Sequence, residues 1–177
     1  LEVANQELKR QALSAQIDPH FIFNALNSIQ NFILKSDKLN AQKYLSKFAK
    51  LMRFHLNSSL KKYIPLVEEI KAIQAYLELE KLRFQGNFEF EILVDDMIDQ
   101  SDVEIPTMLF IPFLENAVWH GILPREDSKG KIDFKIKKEK RGLIVEIEDN
   151  GIGTEASEKR KDPEQQKRHQ SAGVEIT

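Results

Sequence analysis

The chain has 177 residues, 41% of them hydrophobic and 31% charged, with a formal net charge of −2. That length suits one ordinary domain or two small ones, and the near-neutral balance gives no reason to expect nucleic acid or an anionic membrane as the main partner. No cysteine is present, which excludes disulfides, thiolate chemistry and cysteine-ligated zinc, and no apolar run approaches the ~20 residues that span a bilayer.

The first residues, LEVANQELKRQ, read as mid-helix with no N-cap and no signal peptide. A helical continuation upstream is therefore expected. Leu8, Ala12, Ala15, Pro19, Ile22, Leu26, Ile29 and Ile33 recur at steps of three and four, the seam of a helix bundle or coiled coil. The helix is expected to run to about Leu34. Pro19 should release the carbonyl of Ala15 and bend the backbone one residue before His20. At 100° per residue His20 falls off the seam, on a stripe with Asn24, Asn27 and Asn31 that should face water.

Ser36-Asp37 offers a turn and an N-cap for a second helix. That helix carries Ala41, Tyr44, Leu45, Phe48, Leu51, Met52 and Leu56 and ends at Asn57-Ser58-Ser59. An antiparallel hairpin of two amphipathic helices cannot bury its stripe on both sides, so a homodimer giving a four-helix bundle is expected for residues 1–60.

From residue 61 onward the pattern changes. Ile64-Pro65-Leu66 looks like a short extended lead into a third helix with Leu66, Ile70, Ile73 and Leu77 at helical spacing, broken by Gln85-Gly86-Asn87. Phe88, Phe90, Ile92 and Val94 alternate with polar residues as in a half-buried strand. A helix after Pro106 runs through LFIPFLENAVWHG. Two more alternating runs, Ile132-Phe134-Ile136 and Leu143-Val145-Ile147, flank a hairpin turn at Lys140-Arg141-Gly142. These elements predict an α+β fold with helices on one face of a mixed sheet. Thr154 to Gln170 is polar and charged and is expected to be a mobile loop.

Two stretches in this second part can carry chemistry. Glu115, Asn116 and His120 can share one helix face, and an Asn or Glu oxygen suits Mg²⁺, which binds through few protein groups plus phosphate oxygens. The alternative is an ordinary helix surface with a glycine cap at Gly121. Asp149-Asn150-Gly151-Ile152-Gly153 ends a strand with a carboxylate that can accept from an exocyclic amine and two glycines that let the backbone approach a ligand. The alternative is a plain Asp-Asn-Gly turn.

In this order the stretches resemble the sensor histidine kinases of the LytS type, over nearly the whole chain. DPHFIFNALNSIQ resembles that family's phosphoacceptor box, EEIKAIQAYLELEKLRF its middle segment and IPTMLFIPFLENAVWHGI its N box. DNGIG resembles its G1 box, and SAGVEIT the start of its G2 box. The resemblance implies that His20 is phosphorylated, with Asn24 orienting water for dephosphorylation. Asn116 would coordinate Mg²⁺ with Glu115 in support, and His120 would approach the phosphates of ATP. Asp149 would bind adenine, Gly151 and Gly153 would shape the pocket, Thr154 to Gln170 would be the ATP lid, and Gly173 would close over phosphate. It further implies a Bergerat (GHKL) α/β sandwich over residues 61–177, C-terminally incomplete because the family continues through further strands. The partner would be the receiver domain of a response regulator, of LytTR type. The location would be the cytoplasmic portion of a membrane-anchored bacterial sensor, with the membrane reached only through a sensor region upstream of residue 1.

Three positions depart from the family pattern. Phe21 follows His20 where more familiar histidine kinases have an acid, Trp119 stands where many relatives carry lysine, and the G2-like stretch has one glycine. Among the four histidines, His55 reads as packing or surface, His120 as a phosphate contact and His169 as part of the charged loop. Only His20 combines a rigid helix, the neighbouring Asn24 and the preceding proline. The alternatives to an autokinase are a dimeric signalling scaffold with a degenerate nucleotide site, or a GHKL-fold ATPase without phosphohistidine.

Overall fold

A computed structural model describes residues 19–58, 61–124, 129–140 and 142–153, apart from the side chains of Pro19 and His20. The upstream part of the first helix, the bend before His20, the expected lid and Gly173 lie outside the described residues. Helix α1 (Pro19–Leu34) has no charge in its first or last turn to match its dipole, so packing must stabilise it. It stops where Ser36 takes φ 55°. The Asp37 amide donates to the Phe32 carbonyl and the Ser36 amide to that of Ile33, both at 2.9 Å, which satisfies two terminal carbonyls. Helix α2 (Lys38–Ser58) starts at the expected cap, with the Asn40 amide donating to Asp37 Oδ1 at 3.1 Å.

The two helices form the expected hairpin, but α1 packs within the chain through a different face from the expected seam. Ala25, Ser28 and Phe32 are buried, with Phe21 partly so. Phe21 lies 5.8 Å from Phe48, and Phe32 5.8 Å from Tyr44, between ring centroids. Positions 21, 25, 28 and 32 repeat at the same three-four spacing, one step out of phase with 22, 26, 29 and 33. A helix apolar on most sides offers two seams. Of the predicted one, Ile29 packs against the same core, while Leu26 is 53% and Ile33 64% exposed in the single chain.

Strand β1 (Tyr63–Pro65) pairs antiparallel with β3 (Glu104–Pro106) as a separate two-stranded sheet. Helix α3 (Leu66–Arg83) has Glu68 and Glu69 in its first turn and Lys81 and Arg83 in its last, matching its dipole at both ends. It touches the hairpin on one side and strands on the other. One hydrophobic cluster therefore runs from Ala25, Phe32 and Tyr44 through Tyr76 and Leu77 to Phe88, Leu114 and Phe134.

Strands β2 (Phe88–Val94), β4 (Gly130–Glu139) and β5 (Gly142–Asp149) form the expected mixed sheet in the order β2-β4-β5. β2 runs parallel to β4, with Phe90, Ile92 and Val94 beside Ile132, Phe134 and Ile136. β5 runs antiparallel to β4, bringing Ile147 beside Phe134 and Asp149 beside Ile132. The α+β class expected from the sequence is therefore observed. The outer face carries ion pairs such as Lys135–Glu148 at 2.7 Å, which contribute little where solvent screens them.

The fully buried Phe134 meets Phe110 edge-on at 5.4 Å. Phe134→Ala should cost about 3–5 kcal/mol, read as a lower urea midpoint. Lys137→Ala, on the outer face, should leave the midpoint close to wild type.

Candidate functional site

The site is built on the segment that follows β3. Met108 holds φ 58°, an unusual value for a residue with a side chain, and Glu69 fixes it. This buried carboxylate accepts from the Met108 amide at 3.0 Å and the Phe110 amide at 3.3 Å. Burial raises the Glu69 carboxyl above its usual range, and the backbone N–H groups oppose that shift. Helix α4 (Ile111–Asn116) begins directly after, with no side-chain cap of its own.

The sequence suggested one α-helix through His120, with a glycine cap at Gly121 as the plain reading. The α-helix instead ends at Asn116, and Ala117–Ile122 is a π-helical turn. The Leu123 amide donates to Val118 five residues back, at 3.0 Å. Such turns are short and frequent at functional sites. Gly121 is buried within this turn. A Cβ there would stand 2.5 Å from Asp149 Oδ1, and one on Gly151 would stand 2.3 Å from Gly121 Cα. The Ile152 amide donates to the Gly121 carbonyl at 3.0 Å. The two chemically suggestive stretches thus touch, backbone against backbone, at a point where no side chain fits.

Around that contact, Glu115 and His120 are half-buried and Asn116 is exposed. Asp149 is exposed at the end of β5, its Oδ1 accepting from the Gly151 amide at 2.9 Å. Asn150, given no role of its own from the sequence, ties the loop to β4. Its Oδ1 accepts from the Lys131 amide at 2.7 Å and its Nδ2 donates to the Lys129 carbonyl at 3.3 Å. Gly153 takes φ 81°, where glycine is favoured. Asn24 is half-buried on α1, and His20 lies in the first turn of that helix.

Beneath α4 lies a buried polar knot that the motif reading also passed over. Glu80 is 1% exposed. Arg83 Nη1 lies 3.6 Å from its Oε2, and the guanidinium stacks 4.3 Å from the Trp119 ring and 5.0 Å from that of Phe84. Burial pushes the Glu80 carboxyl up to about 7. Arg83 pulls it back and Glu115 adds to the rise. The available signal was an acid and an arginine three apart on a helix otherwise apolar around Tyr76, Leu77 and Leu79.

Asn116 offers an exposed hard oxygen beside Glu115, and the Gly121–Gly151 contact leaves the backbone bare next to Asp149. These residues suit a magnesium–nucleotide pair. A family model described as histidine kinase matches residues 8–88. The sensor protein LytS of Oceanobacillus iheyensis is 35% identical over 150 residues, 85% of this chain and 25% of that protein. LytS of Bacillus subtilis is 32% identical over 143 residues, 81% of this chain and 23% of its own length. The sensor histidine kinase BtsS of Escherichia coli is 34% identical over 143 residues, 78% and 24% of the respective chains. These matches define the histidine kinase class. Within it, the chain belongs to the LytS-type sensor histidine kinases. It spans about a quarter of the length of these curated relatives. Among the described residues no helix is long and apolar enough to cross a membrane.

The Glu80 shift has a testable sign. The folded carboxyl titrates at about 7 against an ordinary 4.5, so between those values the folded chain holds a proton that the unfolded chain has lost. Stability from this group is therefore present at low pH and falls as pH rises from 4.5 to about 7. Urea midpoints at about pH 5 and about pH 8 should differ less in Glu80→Gln than in wild type.

Proposed function

We propose that this chain is the kinase core of a two-component sensor. It takes the γ-phosphoryl group of ATP onto His20 and passes it to an aspartate on the receiver domain of a response regulator, of LytTR type. The observation that supports this is the backbone contact between Gly121 and the Asp149–Gly151 loop, which sets Asp149 directly against the turn that follows Glu115 and Asn116 and contains His120. On this reading residues 1–60 are the dimerisation and phosphotransfer hairpin. Residues 61–177 are a Bergerat-type ATP-binding domain, of which the two-layer arrangement of α3 and α4 against β2-β4-β5 is the described part. The whole would be the cytoplasmic portion of a membrane-anchored sensor.

Phosphoryl transfer depends mainly on positioning and charge neutralisation. A neutral His20 nitrogen forms the bond to the γ-phosphorus, the bond to the β-phosphate oxygen breaks, ADP departs and the imidazole sheds a proton. Asp149 would accept from the adenine amine, with Gly151 and Gly153 leaving room for the base. His120 would face the phosphates, and Gly173 would close over them. Asn116 would hold magnesium with Glu115 beside it. When bound, the ion supplies positive charge against the phosphate oxygens. Asn24, one helical turn after His20, would orient water for dephosphorylation, which releases inorganic phosphate.

The test is acid-labile label. With γ-labelled ATP and magnesium, wild type should take up phosphate that is lost in acid and kept in alkali, and His20→Gln should take up none. Equal labelling of His20→Gln would overturn the assignment.

The exposed row Leu26, Ile33, Leu45 and Leu56 is where a second copy would pack to complete a four-helix bundle. Leu26→Asp with Ile33→Asp should give folded monomers, since these positions carry no burden within one chain while a charge buried in the dimer costs several kcal/mol. Light scattering that shows a wild-type monomer at micromolar concentration would count against the dimer.

A further inference from the structure

We propose that Tyr76 is a positioning residue for phosphoryl transfer, joining the turn of α1 that carries His20 to the helix that carries Glu115 and Asn116. The inference rests on the autokinase reading above and adds to it a route within the chain between donor and acceptor. Tyr76 lies in the middle of α3 and is 1% exposed. Its ring packs against Phe21, the residue directly after His20, with centroids 6.2 Å apart. Phe21 is held from its other side by Phe48 of α2 at 5.8 Å. At the far end of the same side chain, the hydroxyl is buried without a hydrogen bond of normal geometry. Trp119 packs against the same core cluster as Tyr76. Burial holds the phenol well above its usual range, and the Glu80 and Glu115 carboxylates add to that rise.

A phenylalanine would fill the same space without burying a hydroxyl, and an uncompensated buried hydroxyl is costly. Of the groups around this hydroxyl, Glu80 is on α3 itself, while Glu115 and Trp119 belong to α4 and the turn that continues it. Glu115 neighbours Asn116, and Trp119 carries the Arg83 guanidinium on its face. A shift of that helix when nucleotide binds would act on the hydroxyl end of Tyr76. The ring is rigid, so its other end would move Phe21 and, with it, the backbone of His20. In-line transfer tolerates little misplacement, a displacement of about 1 Å being able to cost 10²-fold.

The chain has a single tryptophan, so Trp119 emission reports on one end of this path while phosphate on His20 reports on the other. Three variants of the full chain are needed: Tyr76→Phe, Phe21→Leu and the two combined. In Tyr76→Phe, the rate of His20 labelling at saturating ATP should fall roughly tenfold, while KM for ATP stays near wild type and the thermal midpoint stays level or rises. Phe21→Leu should shift Trp119 emission in the wild-type background and leave it unmoved in the Tyr76→Phe background. Three results would overturn the proposal: an unchanged labelling rate in Tyr76→Phe, a loss confined to KM or accompanied by an equal loss of folding, or an emission shift from Phe21→Leu that is the same in both backgrounds. If wild type with its whole ATP-binding domain takes up no label at all, the autokinase reading fails. The emission experiment then still decides whether Tyr76 connects the two elements.

Discussion

The buried carboxylate of Glu80, lying against Arg83 inside an otherwise apolar layer, constrains the rest of the molecule. A buried ion pair of this kind is weak evidence for stability, because hydrophobic residues of the same volume often do as well or better. Its effect here is to fix geometry. The Arg83 guanidinium lies 3.6 Å from Glu80 and stacks on both Phe84 and Trp119, which ties the π-helical turn to α3. The same pair acts electrostatically on Tyr44 of α2, whose hydroxyl bonds the Ser28 side chain of α1. Burial pushes that phenol up to about 12, so it stays a neutral hydrogen-bonding group. All three long helices and the π-helical turn are thus referred to one point on α3.

α3 is therefore the spine between hairpin and sheet. Beside the aromatic contacts, the Lys47 ammonium of α2 pairs with Glu78 of α3 at the edge of the interface, and that pairing draws the Glu78 carboxyl below its usual range. At the N-terminal end of α3, Glu69 reaches across to hold the chain at Met108. One helix sets both where α4 begins and what it rests on.

Much of this was legible in the sequence. The alternation at Phe90, Ile92 and Val94, and again at Ile132, Phe134 and Ile136, could only satisfy a sheet with one buried face. Asp37 announced its cap, and the Asp149–Gly153 stretch sits at a strand end as its composition requires. The second seam of α1 was hidden because two of its four members, Ala25 and Ser28, are small or polar, while Leu26 and Ile33 one step on are large and apolar. The π-helical turn was hidden because side-chain periodicity over six residues cannot separate it from an α-helix. β3 was hidden because three residues ending in proline show no alternation. The anchoring of Met108 by Glu69 spans nearly all of α3 and the whole of β2 and β3, and a glutamate in the first turn of a helix looks like a dipole partner until its target is seen.

The parallel pairing of β2 with β4 sets a timetable. Antiparallel neighbours can close as soon as a turn is made, but β2 finishes at Val94 and its partner opens only at Gly130. During synthesis at about 5–20 residues per second, β2 waits some seconds with its hydrogen-bonding edge unmet. Over that interval the partners already made are α1, α2 and α3, whose contacts are comparatively local. The hairpin and spine can therefore assemble first and offer Leu77 and Leu79 as a surface for the waiting strand, so that the helical layer serves as the template on which the sheet is laid down.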